Sequence, residues 1–351
     1  MIKNNRSIIF EDCVLVERNL YYVARDVPIL FMLDIDTNKV SPISKIPMLG
    51  IEGERVCSSI QYYNKKLFLM PMRTKLSYIW IYNLNTQGWE YIDISEDNDS
   101  RYIEKYSYSC IWQDKLILVG CNKPTIVVVD LLTGMRECSQ NIFPDDNFYH
   151  ASFSCAQMND ELYIPSPRTN RVYKYNISSG EVKEYAIGSE ENTYIGIVWV
   201  EPFFWIAPYK GNCIIKWSGE REYVEYQIPE DINEYVSEGI STFDRNIIVN
   251  GSEHTNGYII SAENPEKIER LDKSYIVAKW LNKNTYLKMD YNGIIELFWE
   301  KEKEILNSCM QSKYYDNVFQ EFAMDKTTKI SLYPVSERKL FSLEKFLKYS
   351  I

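Results

Sequence analysis

Hydrophobic and polar positions alternate along this chain in short bursts separated by turn formers. The clearest stretch runs from Phe153 to Ile187, where FSCAQM, ELYIP, RVYKYNI and EVKEYAI are divided by Asn-Asp, a polar loop and Ser-Ser-Gly. Runs of β-branched and aromatic residues broken in this way predict four short antiparallel strands, a β-meander. The plan recurs along the chain. Its anchor is the first apolar residue of each second strand: Leu20, Leu67, Leu116, Leu162, Phe204, Ile247 and, as the weakest case, Thr285, spaced 38 to 49 residues apart. Repeats of this period predict the blades of a propeller, because a four-stranded sheet has two faces to bury and radial packing covers both. The expected fold is all-β, a propeller of seven blades, with six as the alternative because the seventh unit is the weakest.

The third strands share an ending. FMLDIDTNKV, IWIYNLNTQGW, TIVVVDLLTGM and VYKYNISSGEV place Asp or Asn at the strand end and a tight turn just after it. Side chains of this kind bond neighbouring backbone amides, and Gly accepts the positive φ such turns need. This pattern resembles the kelch-like β-propeller repeat, with Tyr82-Asn83 and Gly88-Trp89 of the second unit the nearest match. The resemblance covers roughly residues 10 to 300 as a repeat plan. It implies the fold and no particular activity, and the Gly-Gly doublet of that repeat is absent.

The propeller is expected to span 1–335. After Trp299 the plan stops, and the segment from Glu300 to Phe322 spaces Ile305, Cys309, Val318 and Phe322 in a broadly helical way. KISLYPV, 329–335, reads as a strand that closes the last blade, with 336–351 a helical tail whose Ser342 makes a fair N-cap. No apolar run approaches a membrane span of about 18 residues. The eight scattered cysteines form no CxxC or Cys/His cluster, which points to reduced thiols and a cytoplasmic setting.

Charge narrows the partners. The net charge of −10 disfavours nucleic acid and anionic membrane. Against that background, the loops following the second strands carry Arg25, Arg73 with Lys75, Lys123, Arg168, Lys210 beside Tyr209, and His254. The blade-to-blade links are acidic instead: Glu52 and Glu54, Glu96 and Asp97, Asp145 and Asp146, Glu190 and Glu191, Glu230 and Asp231. Two readings follow. The charges pair locally, or the cations form a collar for an anionic or zwitterionic ligand. Metal binding is not expected, since no DxDxDG loop occurs. With His150 and His254 the only histidines, a His-based triad has little to draw on. No cofactor is implied, and no catalytic residue can be named. Strand aromatics such as Trp199, Trp205, Trp217 and Trp280 read as packing between blades, with Tyr209 the best exposed exception. The function expected is non-catalytic binding of a protein or an anionic or zwitterionic ligand on the loop-rich face. The alternative is a propeller glycoside hydrolase or lyase.

Overall fold

The computed structural model describes residues 5–25, 27–47, 55–97, 99–144, 154–229, 239–251, 257–299, 302–311 and 330–334. Seven sheets follow one another in chain order, over residues 10–45, 57–93, 106–141, 156–186, 193–227, 239–270 and 275–307. Each has four antiparallel strands in sequence order, so the chain is a seven-bladed β-propeller. Two compact units divide it: Met1–Ser139 with Asn292–Ile295 and Ile305–Ile351, and Gln140–Tyr291 with Glu296–Glu304. Blades one to three lie in the first unit and blades four to six in the second.

The anchor positions explain why these strands pair as they do. Leu20, Leu67, Leu116, Leu162, Phe204, Ile247 and Thr285 all lie on second strands, and every one is buried. Most face buried apolar partners on the third strand, as in Leu67 opposite Tyr82, Leu116 opposite Val129, and Phe204 opposite Trp217. A slip of one residue would turn each set to the wrong face, so the register is fixed by burial. The first strands of consecutive blades touch within each unit, Phe10–Val16 against Cys57–Tyr63 and Thr193–Val200 against Gly239–Phe243. Aromatics fill the wedges between blades. Trp217 packs with Phe204, Tyr163 and Tyr185, and Trp89 donates from Nε1 to Ser44 Oγ of the preceding blade at 2.9 Å.

The third-strand endings form the turns expected of them. Asp34 Oδ1 accepts from the Thr37 amide, Asn83 Oδ1 from Asn85 and Thr86, Asp130 Oδ1 from Leu132 and Thr133, and Asn176 Oδ1 from Ser179. These amides hold the Asp34 and Asp130 carboxyls below the usual carboxylate range. Gly134 and Gly180 take φ of 68° and 73° at these turns, while Asn38 and Gln87 adopt 50° and 53° in the corresponding places of blades one and two.

The C-terminal expectations need correction. The last blade is completed by Glu302–Asn307, not by the 329–335 strand, and Cys309–Gln311 pairs antiparallel with Asn5–Ser7. Over 302–311 the broadly helical spacing therefore misled: the segment is extended, and of its two adjacent apolar residues Ile305 is 65% exposed while Leu306 is buried, so too little of the strand is enclosed to write an alternation; Val318 and Phe322 lie outside the described residues. Ile330–Pro334 instead runs parallel to Gly88–Asp93, the fourth strand of blade two, adding a fifth strand there. The expected helix over 336–351 lies outside the described residues.

Candidate functional site

The loops following the second strands of blades one and two and the link between those blades are stitched into one row by backbone hydrogen bonds in the first unit. The Arg55 amide donates to the Arg25 carbonyl at 2.6 Å, and the Arg73 amide to the Arg55 carbonyl at 3.1 Å. Three arginines thus stand side by side. Arg55 takes a left-handed φ of 61°, which turns the link across the blade ends. One oxygen of Glu11, Oε1, lies 3.1 Å from Arg25 Nε and 2.9 Å from Arg55 Nε. A single carboxylate therefore serves two guanidiniums, each of which has five donors in a planar fork. Both arginines remain about a quarter exposed. The third, Arg73, clasps Glu104 through Nε and Nη2.

The neighbouring link, 94–105, is braced from beneath. Lys123 is buried, and its ammonium bonds Asp99 Oδ1 at 2.6 Å and Glu96 Oε2 at 3.0 Å, with the Tyr106 ring 5.6 Å away. Glu96 also pairs with Arg136 and accepts from Ser139 Oγ. Together with Lys123, these partners hold its carboxyl below the usual range against the opposing effect of burial. Asn122 Oδ1 accepts from the Glu104 amide at 2.9 Å, and the Asn122 amide donates to the Glu104 carbonyl at 2.8 Å. Lys105 is wholly buried, its ammonium donating to the carbonyls of Thr74 and Tyr102. Burial pushes that ammonium down to about 8; Asp99 opposes the shift and Lys123 adds to it. Above this brace the link exposes Asp97, Ser100, Arg101 and Ile103, and Ile103 is 68% accessible. Ile103 is thus an exposed apolar side chain between two buried residues, Tyr102 and Glu104, whose amides are hydrogen-bonded, a placement suited to insertion into a partner because its flanks are already ordered.

The residues singled out from the sequence fare differently. Arg25 and Arg73 belong to the row. Lys123 is an internal strut, with no surface to offer. Lys75 and Arg168 are exposed. Tyr209 and Lys210 sit at the end of the strand Phe203–Lys210 rather than on a loop, Tyr209 being partly buried against the blade-five core and Lys210 exposed. His254 and His150 lie outside the described residues, as do Glu52, Glu54, Asp145, Asp146, Glu230 and Asp231. Local pairing of opposite charges holds for Arg73 with Glu104 and for Lys123 with Asp99 and Glu96. Sequence reasoning missed Arg55, hidden in a link whose visible character is acidic, and Lys105, which sits at a strand start. Among the described residues no group of three or more His, Cys, Asp or Glu is placed to hold a metal ion. No helix among them is long and apolar enough to cross a membrane.

No family model matches the chain, and no curated protein matches it in sequence. Solved structures do resemble it. Virginiamycin B lyase from Staphylococcus aureus superposes with a TM-score of 0.63 at 13% identity, over 86% of this chain and 96% of that one. A chain of a mitotic checkpoint complex gives 0.61 at 10% identity, covering 84% and 90%. BamB from Moraxella catarrhalis gives 0.53 at 11% identity, covering 86% and 89%. At such identities the likeness is one of fold, and it spans an enzyme, a member of a multiprotein complex and BamB alike.

Proposed function

We propose that this chain is a non-catalytic binding module that docks a protein partner on the loop surface of its first unit. The observation that carries the reading is the sharing of Glu11 by Arg25 and Arg55 beside a braced loop that holds out Ile103. Among the described residues the one Glu11 carboxylate serves both guanidiniums, leaving the pair cationic in a chain whose net charge is −10. The complementary partner presents an acidic stretch with a pocket for an apolar side chain, since guanidinium forks and carboxylates meet bidentately and a buried aliphatic anchor supplies the affinity. The Tyr82–Trp89 contact at 5.0 Å and the Asn83 turn support the kelch-like repeat plan. The seven cysteines whose side chains are described are free thiols, in keeping with a reducing, cytoplasmic setting.

The test uses Ile103→Asp and Arg55→Glu in the full chain, expressed in its source cells, with co-purified proteins quantified against wild type. Both variants should lose the same interactor while keeping the wild-type melting temperature. If the interactors of the two variants match those of wild type, the loop surface is not the docking site.

A further inference from the structure

A lysine stands in the seventh blade where a propeller face is ordinarily apolar. Lys288 lies within the second strand, Thr285–Asp290, on the side of the strand that also carries Tyr286 and Asp290. It is half-buried, and its ammonium stands over four rings: Tyr275 and Phe298 at 5.2 Å, Phe243 at 5.8 Å and Tyr286 at 6.0 Å. The rings form one cluster. Phe243 contacts Tyr286 at 4.8 Å and Phe298 at 5.0 Å between centroids, and Trp280 stacks on Phe243 at 5.8 Å. Tyr286 and Tyr275 are buried, whereas Phe243 and Phe298 are reached by solvent and Trp280 is 41% exposed.

The nearby carboxylates are already engaged. Glu296 pairs with Lys273 at 2.9 Å and Lys303 at 3.2 Å, and Asp290 lies 3.5 Å from Lys273. Lys303 also stands over Phe298, 5.3 Å from its centroid. Lys273 and Lys303 thus occupy these carboxylates, and Lys288 makes no ion pair among the described residues. Ring faces attract its charge but accept none of its three N–H bonds in the way a carboxylate would. Burial pushes the Lys288 ammonium down, and Lys303 and Lys273 press the same way against the pull of Glu296. An arriving anion would relieve both deficits at once.

We propose that this aromatic box is a binding site for a small aromatic monocarboxylate. Its ring packs against Phe243, Trp280 and Phe298, and its carboxylate accepts hydrogen bonds from Lys288 and Lys303. A ligand carboxylate would give Lys288 the anionic partner it lacks among the described residues, and a planar ring stacks on solvent-reached ring faces as an aliphatic acid cannot. The site lies wholly within the second unit and is independent of the docking surface proposed for the first.

The probe is 2-naphthoate, titrated into the full chain by calorimetry alongside 2-naphthylmethanol, which lacks the charge, and acetate, which lacks the ring. One saturable site for naphthoate is expected, with both controls weaker by at least about tenfold. Lys288→Gln should weaken naphthoate by a similar factor, and Trp280→Ala should weaken it as well. A second readout needs no variant: saturating naphthoate should protect Lys288 from reductive methylation, scored by mass spectrometry. Absence of saturable naphthoate binding, equal binding of the alcohol, unchanged affinity in a folded Lys288→Gln, or unprotected Lys288 would each overturn the proposal.

Discussion

Replacing Lys123 by Met removes one ammonium and little volume, and the consequence can be worked from its surroundings. Lys123 and Asp99 are both almost fully buried and lie 2.6 Å apart. At an effective dielectric of about 20 their Coulomb attraction is roughly 6 kcal/mol, offset largely by the cost of desolvating both charges. Removing one partner leaves that desolvation uncompensated, and such truncations typically cost about 3–5 kcal/mol. Glu96 keeps Arg136 and Ser139, so the loss centres on Asp99. The assay is urea unfolding followed by tryptophan fluorescence. With a slope at or above about 3 kcal/mol per molar, as a chain of this size should show, the midpoint should fall by about 1 M. The double variant Lys123→Met, Asp99→Asn removes the stranded carboxylate, and because Lys105 keeps its bonds to the Thr74 and Tyr102 carbonyls it should recover most of the loss. A Lys123→Met midpoint within about 0.3 M of wild type would mean that Asp99 is not stranded by the loss of the ammonium. So would a double variant no more stable than the single one.

Three further outcomes follow. Lys105 has a folded value near 8, below its unfolded value, so burying the charged amine opposes folding below pH 8 and that penalty fades as pH rises toward 10.5. Wild type should therefore gain stability relative to Lys105→Met between pH 8 and 10, by about 2 kcal/mol, and parallel pH profiles in urea titrations would contradict this. Gly180→Ala should cost about 1 kcal/mol because the turn holds φ at 73°, whereas Gln87→Gly, at 53°, should be neutral or stabilising; thermal melts decide. Ile103→Asp should leave stability within about 0.5 kcal/mol, since the side chain touches solvent, and a larger loss by chemical denaturation would mean that Ile103 belongs to the core.

What could be read in the chain beforehand was whatever burial writes into sequence. Leu67 or Leu162 must be apolar because each is enclosed on a second strand, so the blade register showed through, and even Thr285 marked its place correctly. Asp130 and Asn176 were legible because one oxygen and one tight turn are a local event. The outer strand Glu302–Asn307 was not, because among its described side chains only Leu306 is fully enclosed and one buried position sets no alternation in EKEILN. The parallel pairing of Ile330–Pro334 with blade two joins segments far apart in sequence, and no local pattern encodes such a partner. The site divides in the same way. Arg25 and Arg73 stood out as cations on loops, but Arg55 was hidden among acidic neighbours. Lys123 carries the same charge as they do and turned out to be a strut, because exposure is decided by the link that folds over it.

The most direct test of the docking surface is photo-crosslinking in source cells, with a benzophenone amino acid at position 103 and, separately, at position 132. Leu132 is as exposed as Ile103 but lies on a turn between outer strands of blade three, so it controls for exposure alone. A discrete adduct is expected from position 103 that disappears when Arg25→Glu and Arg55→Glu are introduced, and no such adduct from position 132. Equal crosslinking from the two positions, or an adduct at 103 indifferent to the arginines, would contradict it.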